Sequence, residues 1–112
     1  MNIQIFGAGK CFDTKKAERY FKERRVNYQY IDIVKYGLSK GVFESVRNAV
    51  GLEALIDTQC KEYKTLDMAF YGLGTAADDM LLKHPKLFRT PIVRNGRQAT
   101  VGYCPEVWEK WE

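Results

Sequence analysis

Over the first 33 residues the hydrophobic pattern changes period twice. Asn2 to Phe6 alternates polar and apolar side chains, the two-residue period of a half-buried strand. Gly7-Ala8-Gly9-Lys10 then reads as a flexible turn. From Asp13 onward Ala17, Tyr20, Phe21 and Arg24 fall at helical spacing, with Asp13 or Thr14 placed to cap the helix. Tyr28 to Ile33 returns to strand character, rich in aromatic and β-branched side chains. A strand, a helix and a strand in such close succession predict a βαβ unit with parallel strands and a right-handed crossover.

The middle of the chain reads as helical. Ser39 can cap a segment that carries Val42, Phe43, Val46 and Val50 on one face and ends near Gly51. Leu55, Ile56, Leu66, Met68, Ala69 and Phe70 predict shorter helices, interrupted by Gly72-Leu73-Gly74. Thr75 is expected to cap the next helix, with Ala76, Ala77, Met80, Leu81 and Leu82 apolar, stopping before Pro85. Thr90 to Arg94, an Asn95-Gly96 turn with both residues at positive φ, and Arg97 to Tyr103 form a predicted hairpin. Pro105 suits the first position of a last helix whose apolar face is Val107, Trp108 and Trp111. The order is β-α-β, a helical insert over residues 39–84, then β-β-α, read as a single α/β domain over residues 1–112.

Composition narrows the class. With 46% hydrophobic and 13% aromatic residues the chain can bury a core and is not a disordered sequence. No run approaches the about 18 apolar residues of a membrane span, and the first residues lack the features of a secretory signal. The expectation is a soluble, cytoplasmic protein with no membrane partner, in a compartment that keeps thiols reduced; an odd count of three cysteines agrees. The net charge of +4 is spread along the chain, and its one cluster, Lys22 to Arg25, reads as a solvated helix face, so no direct nucleic-acid contact is expected. One histidine, His84 at a helix end, and three scattered cysteines provide no metal-binding spacing. Trp108 and Trp111 read as core anchors, and Cys60 as incidental.

Cys11 is the residue that points to chemistry. It follows the first strand in a glycine-rich turn where a helix begins, and unpaired N–H groups at a helix start stabilise an anion. A thiolate there has a depressed pKa and is the better nucleophile; Lys10 and Lys15 would add to the effect and Asp13 oppose it. An idle or buried cysteine is the alternative. Gly9-Lys10 is no phosphate loop, because the earlier glycine is absent and Cys11 stands where a Mg²⁺-binding hydroxyl belongs. Nor is Gly7-Ala8-Gly9 a dinucleotide fingerprint, since Phe12 occupies the third glycine position.

Three segments in register resemble the ArsC/Spx family. They are the strand, cysteine and Lys16-Ala17-Glu18-Arg19-Tyr20-Phe21; His84-Pro85-Lys86-Leu87-Phe88-Arg89-Thr90-Pro91-Ile92-Val93; and Val101-Gly102-Tyr103. Gly51-Leu52 and Tyr63 to Leu66 are similar to the family's insert. The resemblance implies a thioredoxin-like fold, a mixed four-stranded sheet flanked by helices. It makes Cys11 a nucleophilic monothiol and Pro91 a cis proline facing it, against the plain alternative of a turn proline. Thr90 then becomes the residue that meets an incoming thiol. Lys10, Arg89, Thr90 and Pro91 are the implied substrate-binding residues, and Cys104 a candidate resolving thiol, with a small core or capping residue as its alternative.

The implied substrate is a thiol, a disulfide or a small oxyanion, with no resident cofactor and with glutathione or glutaredoxin as reductant. Two departures qualify this. The family's three oxyanion-holding arginines fall near Asp57, on Thr90, and near Tyr103 or Cys104, with only Arg89 one place away. A dianion without charge-assisted partners is poorly held, so the resemblance extends to the thiol more than to arsenate. The second cysteine of the Spx-type Cys-x-x-Cys switch is Thr14 here. The alternative activity is regulatory, an Spx-like protein binding RNA polymerase through Gly51 and the nearby Arg47.

Overall fold

Strand β1 (Ile3–Gly7) is a central strand paired on both edges, with all but Gln4 buried between the helical layers on the two faces. Ile3 and Ile5 project to one side of the sheet and Phe6 to the other. The computed structural model describes residues 1–111. β2 (Tyr28–Asp32) runs parallel to β1, Ile3 opposite Tyr28 and Gly7 opposite Asp32. β3 (Ile92–Asn95) lies antiparallel on the other edge of β1, and β4 (Gln98–Val101) antiparallel to β3. The sheet order is β2-β1-β3-β4.

Each face has its own helical layer. α1 (Phe12–Glu23) returns the chain to β2 and buries Ala17, Tyr20 and Phe21 against Ile3, Ile5 and Val93. The opposite face is covered by α2 (Ile33–Tyr36), which lies before the predicted insert, and by the insert's α3 (Lys40–Val50), α4 (Leu52–Leu55), α5 (Lys61–Thr65), α6 (Met68–Tyr71) and α7 (Thr75–Lys83). Phe6 and Ile92 pack there with Phe43, Val46, Leu55 and Leu81. A 3₁₀ turn (Pro85–Leu87) leads back to β3, and α8 (Pro105–Trp108) sets Trp108 and Trp111 on the α1 side.

Local signals account for much of this and miss several boundaries. The Ser39 hydroxyl accepts the Val42 N–H at 3.3 Å, as its spacing predicts. Asp13 and Thr14 do not cap α1; Cys11 occupies that position, and both lie inside the helix. Gly74, not Thr75, precedes α7. Asp32 ends β2 by accepting the N–H groups of Val34 and Lys35, so Ile33 begins a helix instead of finishing a strand. In the hairpin Asn95 pairs with Gln98, which leaves Gly96 and Arg97 as the turn. Only Gly96 has positive φ (+61°), a type II′ arrangement in which glycine takes the first central place. Val107 is exposed, because a four-residue helix can turn little more than one side chain inward.

Candidate active site

The turn after β1 is closed by the Cys11 N–H donating to the Ala8 carbonyl at 3.0 Å, and α1 starts at the next residue. The end of the strand and the first turn of the helix meet closely. A methyl group on Gly7 would lie 2.3 Å from the Thr14 Cγ2 atom, so a hydrogen at this position is what permits the contact. Thr14 is 1% exposed, and its hydroxyl oxygen accepts the Ala8 N–H at 3.4 Å. That leaves the hydroxyl proton for the sulfur of Cys11, three residues earlier at the mouth of the helix.

From across the sheet the segment before β3 completes the surroundings. The Thr90–Pro91 peptide bond is cis and Pro91 is buried. The Cys11 thiol donates to the Thr90 carbonyl at 3.5 Å, a contact spanning 79 residues of sequence. Burial by itself pushes the Cys11 thiol up. The hydroxyls of Thr14 and Thr90 and the backbone N–H groups of Thr14 and Asp13 favour the anion and outweigh it, holding the thiol below its ordinary range. The neutral thiol makes no helix-capping bond, so these donors act on the thiolate. Lys10 and Lys15 are exposed, where water and salt screen their charge.

The other predicted residues separate. Lys10 and Thr90 line a cleft of about 680 Å³ beside the Cys11 turn, together with Asp57, Cys60, Glu62 and Lys86. Cys60, which sequence reading treats as incidental, is thus on the cleft wall; it caps α5 and donates to the Asp57 carbonyl at 3.1 Å. Arg89 is turned to the insert, where its guanidinium donates to the Ile56 carbonyl at 3.3 Å and its backbone N–H to that of Leu55. Cys104 caps α8, donates to the Val101 carbonyl at 3.3 Å and packs against the α1-side core. All three cysteines are free thiols.

Thr14 is the functional residue that sequence reasoning missed, treating it as a cap or as an absent cysteine. The available signal is its spacing: three residues into a helix, a side chain faces back to the capping position. The cleft also has no arginine among its lining residues, and Asp57 and Glu62 project carboxylates toward it. Among the described residues no group of three His, Cys, Asp or Glu could hold a metal ion, and no helix is long and apolar enough to cross a membrane.

Comparison with known proteins agrees with this geometry. The chain is 26% identical over 106 residues to the global transcriptional regulator Spx 2 of Oceanobacillus iheyensis, covering 92% of this chain and 78% of that one. It is 25% identical over 104 residues to the Spx regulator of Streptococcus pyogenes, with 90% and 78% covered. Among solved structures it superposes on a putative arsenate reductase from Yersinia pestis with a TM-score of 0.86 at 20% identity, over 98% of this chain and 100% of that one. An arsenate reductase from Vibrio cholerae gives a TM-score of 0.83 at 24% identity, over 96% and 94%. At those identities the structural likeness establishes the thioredoxin-like fold of arsenate reductase-type proteins, not their reaction. The family model described as ArsC family matches residues 6–111, with the cysteine turn near one end of the match and both tryptophans of the terminal segment at the other, and the chain belongs to that family.

Proposed function

We propose that the protein is a monothiol oxidoreductase that exchanges disulfides through Cys11. The observation that carries this reading is the position of Cys11 at the start of α1, its sulfur 3.5 Å from the Thr90 carbonyl before the cis Pro91, where donors from Thr14 and Thr90 favour the anion against burial. A thiolate present at neutral pH attacks one sulfur of a disulfide. That S–S bond breaks, a new one forms to Cys11, and the departing sulfur takes a proton from water. A second thiol, from glutathione or a glutaredoxin, then attacks the mixed disulfide and returns Cys11 as thiolate. On this reading the Thr90 backbone, which precedes the cis Pro91 and is already in contact with Cys11, would meet the incoming sulfur, with Lys10 on the same cleft.

Arsenate is a poor fit to the same site. By the resemblance the family's three arginines would fall near Asp57, on Thr90 and near Tyr103 or Cys104, and Arg89 is occupied at Ile56. Oxyanion capture needs charge-assisted donors, whereas a disulfide needs only the thiolate. The test is turnover of a small mixed disulfide with glutathione, with Cys11→Ser as control. A rate equal to the control would remove the reading, and so would arsenate reduction faster than disulfide exchange.

A second reading, an Spx-like regulator acting on RNA polymerase, is favoured by the relatives named as global transcriptional regulators. Gly51 lies exposed at the end of α3, as that reading requires. Arg47, its expected companion, is paired instead with Asp78 of α7 at 2.9 Å. Retention of RNA polymerase subunits from host extract by the purified protein, lost on Gly51→Arg, would decide for the regulator.

A further inference from the structure

We infer that the substrate of Cys11 is a cysteine in a polypeptide segment, held by an aromatic and cationic strip of Phe12, Lys16 and Tyr103. This rests on the disulfide-exchange reading above and names what that site acts on. Phe12, the residue directly after the nucleophile, is 79% exposed. Single exposed apolar side chains are ordinary on protein surfaces, but this one adjoins the reactive sulfur and is not isolated. Lys16 follows it by one helical turn on α1, so the two are neighbours on the helix surface. The Lys16 ammonium lies 5.7 Å from the centre of the Tyr103 ring, which joins the end of the β4 segment to the same strip.

Tyr103 is held from beneath and open above. Its ring meets the buried Trp108 edge-on at 5.6 Å, while 42% of the residue is exposed. Beyond it the surface continues as a shallow hollow of about 460 Å³ between α1 and the start of α8. Lys16, Arg19 and Arg24 line that hollow against one carboxylate, Glu23. Two acidic groups, Glu106 and Asp13, border the strip on the Cys104 side, both close enough to act on that thiol.

The strip therefore offers an exposed ring on the residue after the nucleophile, a second ring across Lys16, and positive charge further along. Its complement is a segment with an apolar side chain next to its cysteine and acidic side chains a few residues away. A small oxyanion would use neither ring, and a small disulfide would not reach the hollow. In the reaction the segment's cysteine carries a low-molecular-weight thiol as a mixed disulfide. Cys11 bonds to the sulfur of that small thiol, the mixed S–S bond breaks, and the segment leaves as a thiolate that takes a proton from water. A second molecule of the small thiol attacks the small-thiol sulfur of this mixed disulfide, the bond to Cys11 breaks, and the symmetric small-thiol disulfide and the Cys11 thiolate are the products.

The experiment compares a small disulfide with two peptide mixed disulfides. The small disulfide is bis(2-hydroxyethyl) disulfide. The first peptide is glutathionylated, with a leucine beside its cysteine and two glutamates four residues on, and the second replaces those glutamates by lysines. The expected result is a higher kcat/KM on the acidic peptide than on the small disulfide, with that ratio falling about tenfold in Phe12→Ala, equivalent to about 1.4 kcal/mol. Lys16→Glu should lower the rate on the acidic peptide and raise it on the basic one. Equal kcat/KM on peptide and small disulfide, or a ratio unmoved in Phe12→Ala, would overturn the docking strip while leaving disulfide exchange standing. No Cys11-dependent turnover of any probe would overturn both.

Discussion

Cys11 and Cys104 stand at the same place in two helices, the residue before the first helical turn, and their thiols are shifted in opposite directions. Cys11 is lowered despite burial. Cys104 is raised, by burial first and then by Glu106 and Asp13, with the Thr100 hydroxyl too weak to compensate. Cys60, which caps α5, is raised as well, by burial and by the carboxylates of Asp57 and Glu62. Position at a helix start is therefore not what activates Cys11. α5 and α8 are single turns, with few aligned peptide units to make a dipole, whereas α1 has twelve residues. The second difference is chemical: Cys11 faces hydroxyl donors on two sides, and the other two face carboxylates.

The largest expected effect is on the reaction. Cys11→Ser should reduce disulfide exchange to the uncatalysed background, and Cys104→Ala should not, as measured by steady-state turnover. Equal loss in both variants would erase the distinction between the two turns.

Gly7→Ala comes next. The added methyl has no room beside Thr14, so overpacking should cost about 1–3 kcal/mol in urea unfolding. The same displacement should raise the titration midpoint of Cys11, read by thiolate absorbance. Unchanged stability together with an unchanged midpoint would show that the close contact between strand end and helix does not hold the donor in place.

Thr14→Val removes the hydroxyl and keeps the shape. An acid with a lowered pKa ionises at lower pH, so the wild-type exchange rate should rise with pH earlier than that of a free thiol of pKa about 8.5. In Thr14→Val that rise should move to higher pH, with the plateau rate reached later. A profile that does not move would assign the shift to the helix terminus and Thr90. The smallest effect is expected in differential alkylation: Cys60 and Cys104 should react with iodoacetamide only at higher pH than Cys11. After mild peroxide, a Cys11–Cys104 disulfide in mass spectra would contradict the separation and make Cys104 a resolving thiol.

The readable part of this site is the part that depends on near neighbours in the chain. The alternation of Asn2 to Phe6 and the helical spacing of Ala17, Tyr20 and Phe21 place Cys11 between a strand and a helix, whatever surrounds them. The same holds for Ser39 as a cap and for Trp108 and Trp111 as anchors of the last segment. Boundaries were less legible, because single side-chain bonds decide them. Asp32 captured two N–H groups and ended β2 early, and one glycine at positive φ moved the hairpin turn from Asn95-Gly96 to Gly96-Arg97.

The chemistry of Cys11 depends on what the fold carries to it. By itself the sequence determined the strand–turn–helix context and the cysteine within it, with threonine and not a second cysteine at position 14. Only the tertiary structure decided that the Thr90 carbonyl reaches the sulfur across 79 residues and that Arg89 turns to Ile56. It also brought Cys60 onto the cleft wall and placed Tyr103 over the side of α1. The physical reason is the range of the forces involved. Backbone periodicity is set within a few residues, but hydrogen bonds and desolvation act between groups that only the packing of the insert, the sheet and α1 brings within a few ångströms.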